Sequence, residues 1–283
     1  AVAIGPPAAA DLWLVDLESD TLSRLTREVP VHRPIWSPDG ARIAFSTPIA
    51  GGWSLMSVDV ELSRQTDGTA PITTLLRSDW RLYPGAWSAD GRSLILQARR
   101  ADTGWDLLRW TDAAGTERTE PLRSTAANET NPAPSPDGRW LAWESDELDN
   151  VVQVYVASLS NPAARTQVSE TGGRWPVWGD DLALYYWETG NQGKLRRIEL
   201  GLEASPPTVV RSQVVLCGGL SDQPCEIAHD DELLPTVSPS WAGFGVDSDR
   251  DRWLFLAAPP TEDPRQPGGI VVLEGWSARS DLR

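Results

Sequence analysis

Short apolar runs alternate with turn-forming residues, and three runs share one frame. Ile43-Ala44-Phe45, Leu94-Ile95-Leu96 and Leu141-Ala142-Trp143 each follow a tight turn, Ser37-Pro38-Asp39-Gly40, Ser88-Ala89-Asp90-Gly91 or Ser135-Pro136-Asp137-Gly138. Ahead of each turn lies a proline-bearing lead-in, beginning Arg33-Pro34, Tyr83-Pro84 or Asn131-Pro132. Asp-Gly closes a hairpin because both residues tolerate positive φ. The lead-in is therefore an inner strand and the apolar run a second strand. Val152-Gln153-Val154-Tyr155-Val156 has the period-two alternation of a third strand. Arg165-Thr166-Gln167-Val168 and Leu22-Ser23-Arg24-Leu25-Thr26 fit a fourth, outermost one.

The turn aspartates stand 51 residues apart (39 to 90) and then 47 (90 to 137). Four short strands repeated every 40–50 residues or so predict an all-β chain, a β-propeller. Two further units are degenerate. Gly173-Arg174-Trp175-Pro176-Val177-Trp178 repeats the lead-in, but Gly179-Asp180-Asp181 is shorter than the other turns. Near the C-terminus, Gly245 to Arg250 is expected to occupy the turn, before Trp253-Leu254-Phe255-Leu256 and Ile270-Val271-Val272-Leu273. Gly201 to Pro239, rich in Pro, Gly, Ser and acid, is expected to be an elaborated loop. The N-terminus is out of phase: Ala1–Ile4, Leu12–Val15 and Thr21–Thr26 read as second, third and fourth strands without their inner strand. The expectation is a six-bladed propeller in a single domain, 1–283. Its blades cover about 1–26 (incomplete), 32–78, 82–124, 130–170, 173–211 and 237–276. Ring closure then falls to the C-terminal segment, to upstream residues or to imperfect packing.

Composition narrows the partners more than the fold. Hydrophobic residues make up 40% of the 283, enough for a core, and 15 Trp against 3 Phe leave the bulky packing to indole rings. Forty acidic residues against 25 basic ones give a net charge of −15, a surface that repels nucleic acid and anionic membranes. No run approaches the roughly 18 apolar residues of a membrane span, and Ala1 to Gly5 lacks the basic start of a signal peptide. No nucleic acid, direct membrane insertion, metal or cofactor is expected. Cys217 and Cys225 flank a flexible stretch, and no His or third Cys adds ligands at finger-like spacing. They are read as a disulfide, which places the protein outside the cytoplasm.

These residues resemble the WD40-like (PD40) repeat of the TolB family over nearly the whole chain. The resemblance is nearest to the propeller C-terminal to the kinase domain of bacterial membrane serine/threonine kinases. Asp11-Leu12-Trp13-Leu14-Val15-Asp16-Leu17 with Leu25-Thr26 is similar to that family's first blade. Gly172 to Trp178 resembles its fifth, and Ile270 to Trp276 its closing segment. The resemblance implies a sensor or protein-interaction module on the outer, periplasmic or extracellular side of a bacterial cytoplasmic membrane. The shortened fifth turn, Arg250 in a usual glycine position and the cysteine loop depart from the pattern. No kinase sequence accompanies it: Lys194 precedes Leu195-Arg196, with no glycine-rich loop ahead.

Catalytic chemistry finds little support. Asp39, Asp90 and Asp137 recur with Gly40, Gly91 and Gly138 in every regular unit, which fits turn capping, because an active site is made once. Asp247-Ser248-Asp249-Arg250-Asp251 lacks the glycine and later glutamate of a calcium loop. Glu144 to Asp149 reads as a solvated acidic loop. His32 and His229 are the two histidines, and no Gly-x-Ser-x-Gly elbow accompanies them. Sialidase-type Asp boxes separate Asp from Gly, whereas Asp39-Gly40 is adjacent.

What remains is the end where inner strands begin, opposite the Asp-Gly turns. His32, Arg33, Tyr83, Asn131, Arg174, Trp175 and Trp241 fall there, and aromatic and arginine side chains dominate binding hot spots. Plugging of the channel by Tyr83, Trp175 and Trp241 is the competing reading. The sequence thus points to a non-catalytic binding or sensor propeller for a protein or small ligand. The alternatives are the accessory propeller of a hydrolase or peptidase whose catalytic domain lies elsewhere, or a structural subunit of an envelope complex. The cysteine reading has a direct check. Thiol titration of the unfolded, unreduced protein is expected to find no free thiol; two would remove both the bond and the compartment argument.

Overall fold

The computed structural model describes residues 2–4, 10–16, 21–113, 116–189, 194–217, 245–247, 252–257 and 269–274. They form six antiparallel sheets and one short helix, Val60–Gln65. The chain divides into two compact units, Ala1–Pro134 and Ser135–Arg283.

The first unit opens with a three-stranded sheet of Val2–Ile4, Asp11–Asp16 and Thr21–Arg24. A four-stranded sheet follows in sequence order: His32–Trp36, Arg42–Ile49, Gly52–Asp59 and Thr73–Ser78. The next repeats the plan with Arg81–Trp87, Ser93–Arg100, Gly104–Ala113 and Thr116–Arg123. The strand Glu129–Pro134 ends the unit and packs against Arg81–Trp87. The helix is an insertion between the third and fourth strands of the 32–78 sheet. The Asp59 carboxylate caps it, accepting the Leu62 N–H at 2.8 Å.

In the second unit Trp140–Leu148, Val151–Ser158 and Asn161–Gln167 pair in succession. A four-stranded sheet then runs through Gly173–Trp178, Leu184–Glu188, Lys194–Gly201 and Thr208–Cys217. Gly245–Asp247, Arg252–Ala257 and Gly269–Glu274 form the last sheet. Two expectations are corrected here. Thr208–Cys217 is a ten-residue strand inside the stretch read as loop, and Gly245–Asp247 is strand, pairing with Arg252–Leu254, rather than turn. Cys225, the Cys217 side chain, His229 and Trp241 lie outside the described residues.

Second strands are buried on both faces, which explains their unbroken apolar runs. Ile43, Ala44, Phe45, Leu94, Leu96, Leu141, Ala142 and Trp143 are fully buried. One cluster joins Ala44 and Leu55 to Leu82, Trp87, Leu94, Leu96 and Trp110, so it is shared by the 32–78 and 81–123 sheets. Another joins Leu12, Leu25 and Val31 to Ile43, Phe45 and Val58, tying the first sheet to the second.

The hairpin turns are built identically. Asp39 Oδ1 accepts the Ala41 N–H at 3.0 Å and the Ser37 hydroxyl at 2.5 Å, and the Gly40 N–H closes onto the Ser37 carbonyl at 2.9 Å. Gly40, Gly91 and Gly138 have φ of 69°, 66° and 70°, a left-handed conformation open to glycine at little cost. The shortened turn keeps the same logic: Asp181 Oδ1 accepts the Ala183 N–H at 3.1 Å, and Leu182 takes the glycine's place at φ 59°. The Ser37 and Ser88 hydroxyls and the turn amides hold Asp39 and Asp90 below the usual carboxylate range. For Asp137 burial pulls upward, but the Ser135 and Arg139 hydrogen bonds outweigh it and the pKa is again lowered. A lowered folded-state pKa contributes stability present above the unfolded value and lost as pH falls through the folded one. Asp137→Ala is therefore expected to lower stability by about 0.5–2 kcal/mol and to flatten the loss of melting temperature below pH 3.8. Thermal melts against pH check both; an unchanged acid limb would remove the capping role.

Candidate functional site

Inner strands begin at the end away from the Asp-Gly turns. His32 is paired there with Ser46, Tyr83 with Gln97, and Arg174 with Trp187. The following residue is left-handed in three cases: Arg33 at φ 49°, Asn131 at 48° and Trp175 at 54°. For residues with a Cβ that conformation costs about 1–2 kcal/mol, and each ladder is irregular just after it in the 32–36 and 173–178 strands. Specific side-chain acceptors hold it in place at Asn131 and Trp175. Gln97 Oε1 accepts the Asn131 N–H at 3.1 Å, and Glu144 Oε1 accepts the Trp175 N–H at 2.6 Å. Gln97 and Glu144 occupy the same register position in their second strands. At that position in the 32–78 sheet stands Ser46, whose buried hydroxyl has no hydrogen-bond partner among the described residues. The matching residue of the next inner strand is Pro84, which has no N–H to give.

In the first unit four of the expected residues come together. The rings of His32 and Trp53 meet edge-on at 5.2 Å, and those of Trp53 and Tyr83 at 5.4 Å. Tyr83 and Trp105 stack at 5.5 Å with 19° between their planes. The Arg33 guanidinium lies 4.9 Å over Tyr83 and reaches Gln97 Oε1 at 3.3 Å and Asn131 Oδ1 at 3.4 Å. Arg81 lies 5.2 Å over Trp53. Burial lowers the His32 pKa and the Arg81 charge lowers it further, so the imidazole is neutral at pH 7.

In the second unit Arg174 and Trp175 meet at Glu144. The Glu144 side chain is 1% exposed, and Arg174 Nη1 stands 3.7 Å from its Oε2. This corrects the reading of Glu144–Asp149 as a solvated loop: Glu144 to Leu148 belong to the strand Trp140–Leu148, Asp149 lies in the exposed turn after it, and Glu147 pairs bidentately with Arg165 at 2.8 and 2.7 Å. Trp53, Arg81, Gln97, Trp105 and Glu144 were missed by sequence reasoning. The recurring Gly52-Trp53 and Gly104-Trp105 pairs, one at each third-strand start, were the available signal. Among the described residues no group of three or more His, Cys, Asp and Glu is placed to hold a metal, and no helix is long and apolar enough to cross a membrane.

No protein-family model matches the sequence. The chain is 28% identical over 155 residues to the Bacillus subtilis protein named uncharacterized peptidase YuxL, a match covering 52% of this chain. It spans 21% of that relative's length. Among solved structures it is similar to TolB from Acinetobacter baumannii, with a TM-score of 0.64 at 12% identity over 95% of this chain and 58% of that one. The putative TolB from Agrobacterium tumefaciens gives 0.55 at 14% identity over 74% and 76%. A Mycobacterium tuberculosis puromycin-hydrolyzing peptidase gives 0.54 at 12% over 96% and 43%. The chain is an all-β propeller of the TolB type, a fold that it shares with propellers of peptidases.

The Glu144 contact generates a test. Glu144→Ala leaves the Trp175 N–H without this acceptor and is expected to cost about 1–3 kcal/mol in urea unfolding. Glu144→Gln keeps an amide oxygen, the arrangement Gln97 already uses, and is expected to recover most of that loss. Equal losses in the two variants would count against the acceptor role.

Proposed function

We propose that this propeller is a non-catalytic binding module, six blades in one domain, working on the outer side of a bacterial cytoplasmic membrane. Its recognition surface is the end where inner strands begin. The observation that carries this reading is the first-unit cluster of His32, Arg33, Trp53, Tyr83 and Trp105, rings and guanidinium groups interleaved in a chain of net charge −15. Aromatic and arginine side chains give much contact energy for little lost rotamer freedom. Arg174 and Trp175 are the corresponding residues of the second unit. The turn aspartates Asp39, Asp90 and Asp137 are engaged by their own hairpins, which supports a structural duty for them. The TolB-type fold and the cysteine pair support the envelope location, and a sensor role beside a kinase remains the reading that the sequence resemblance favours.

A second reading has an observation of its own. The chain spans about a fifth of a relative named as a peptidase and shares its fold with a puromycin-hydrolyzing peptidase. An accessory propeller admitting or orienting substrates would use the same end of the sheets. Pull-down from the source organism's envelope extract with the parent chain and with Arg33→Ala/Tyr83→Ala tests the binding reading. Loss of the captured partner from the double variant is expected. Undiminished capture by a variant of unchanged melting temperature would move the binding surface elsewhere.

A further inference from the structure

Beside the cluster, Arg81 and Arg99 are direct cross-strand partners in the 81–123 sheet, and both are exposed. Like charges directly opposite one another destabilise a ladder unless something neutralises them. Among the described residues neither has a carboxylate within ion-pair reach, whereas Arg24, Arg109, Arg165, Arg196 and Arg197 each have one. Arg81 instead lies over the Trp53 ring, and Arg33 leans on Tyr83 and two neutral amides. Tyr83 follows Arg81 by two residues, so both fall on one face of the strand, and Tyr83 is paired with Gln97 as Arg81 is with Arg99. Arg33, Arg81 and Arg99 thus form one strip of uncompensated positive charge on an acidic protein.

We infer that this strip docks an acidic, extended peptide segment of a partner protein through its Asp or Glu side chains. The inference rests on the binding reading above and names the partner's chemistry. A guanidinium resting on a ring keeps its N–H edge outward and loses little freedom on pairing, which suits bidentate capture of a carboxylate. The Tyr83 ring has Arg33 over it and Trp105 stacked on it, and the Trp53 ring has Arg81 over one face. A flat sugar ring or nucleobase therefore meets guanidinium groups rather than an open platform. A nucleic acid or an anionic membrane would extend its charge past the strip and meet the chain's net −15. A peptide presents a few carboxylates on flexible stems and places neutral residues beyond them.

The experiment measures fluorescence anisotropy of a labelled Glu-rich peptide, with its Gln-for-Glu counterpart as control, on the full chain. Saturable binding of the Glu peptide is expected. It should weaken about tenfold or more in Arg81→Gln/Arg99→Gln and on raising salt from about 0.05 to 0.5 M. The melting temperature of that variant should equal or exceed the parent's, since a repulsive pair has been removed; should it fail to fold, Arg99→Gln alone is read the same way. No binding of the Glu peptide, equal binding of the Gln peptide, or unchanged affinity in the variants would each overturn the inference. Equal competition by inorganic phosphate or by an oligogalacturonate would overturn it in favour of a different anion. Envelope partners lost with Arg33→Ala/Tyr83→Ala but kept with Arg81→Gln/Arg99→Gln would sink the acidic-peptide strip and leave the binding module standing.

Discussion

The hydrogen bond that a second-strand side chain accepts from the left-handed N–H of the following inner strand sets the geometry of the end where inner strands begin. Gln97 makes it to Asn131 and Glu144 to Trp175. A left-handed residue with a Cβ reverts to extended backbone unless something over-determines it. Once fixed, it leaves the residue before it facing its register partner, and the ladder resumes beyond the following proline, at Ile35 and at Val177. Where the following inner strand offers Pro84, the acceptor position holds a short hydroxyl, Ser46, and no such bond is made. Donor and acceptor change together, so the position is a coupled pair rather than two independent choices.

That coupling explains why polar groups sit deep among apolar second strands. Gln97 and Glu144 are buried, and each is engaged by a backbone N–H. A carboxylate so placed is costly unless bonded, and Glu144 has both an N–H and the Arg174 guanidinium near it. Glu129 is the opposite case. Burial pushes its pKa up, against the Thr125 hydroxyl and Arg123, with Asp106 adding to the rise. A raised folded-state pKa on a carboxyl group means stability present when it is protonated and eroded as pH climbs through that pKa. The turn aspartates act in the other direction, below pH 3.8, so these groups bound stability from opposite sides.

What was legible in the sequence follows the range of the interactions. A Ser-Pro-Asp-Gly turn is closed by residues two to five apart, so its aspartate and glycine can be read in place, and its recurrence announces the fold. Leu182 shows the limit: a leucine in a left-handed turn position carries no local signal, because the Asp181 side chain and the flanking strands impose it. Glu144 looked like part of a solvated acidic run because its partner lies 31 residues away. The strand Thr208–Cys217 fell in a segment whose composition suggested loop, and the helix Val60–Gln65 is an insertion that the repeat does not announce. At the end where inner strands begin, His32, Arg33, Tyr83, Asn131, Arg174 and Trp175 were legible from the repeat. Trp53 and Arg81 join them through packing between neighbouring sheets, and Trp105 through stacking on Tyr83 within one sheet.

The charge pattern gives the cluster its meaning. In an acidic chain most described arginines are absorbed by carboxylates, as in Arg24 with Asp11, Arg165 with Glu147 and Arg197 with Asp181. Leaving Arg81 opposite Arg99 and resting Arg33 on a tyrosine forgoes that stabilisation where acid is plentiful. Exposed ion pairs contribute only about 0–1 kcal/mol each, so the loss to folding is small. Under the proposed binding role the gain to association is larger, because a guanidinium held by an aromatic ring needs no carboxylate of its own to be displaced before it takes one from a partner. On the proposed binding role, the chain's net negative charge would act as a filter, repelling extended polyanions and leaving this strip open to a ligand whose charge is short and local.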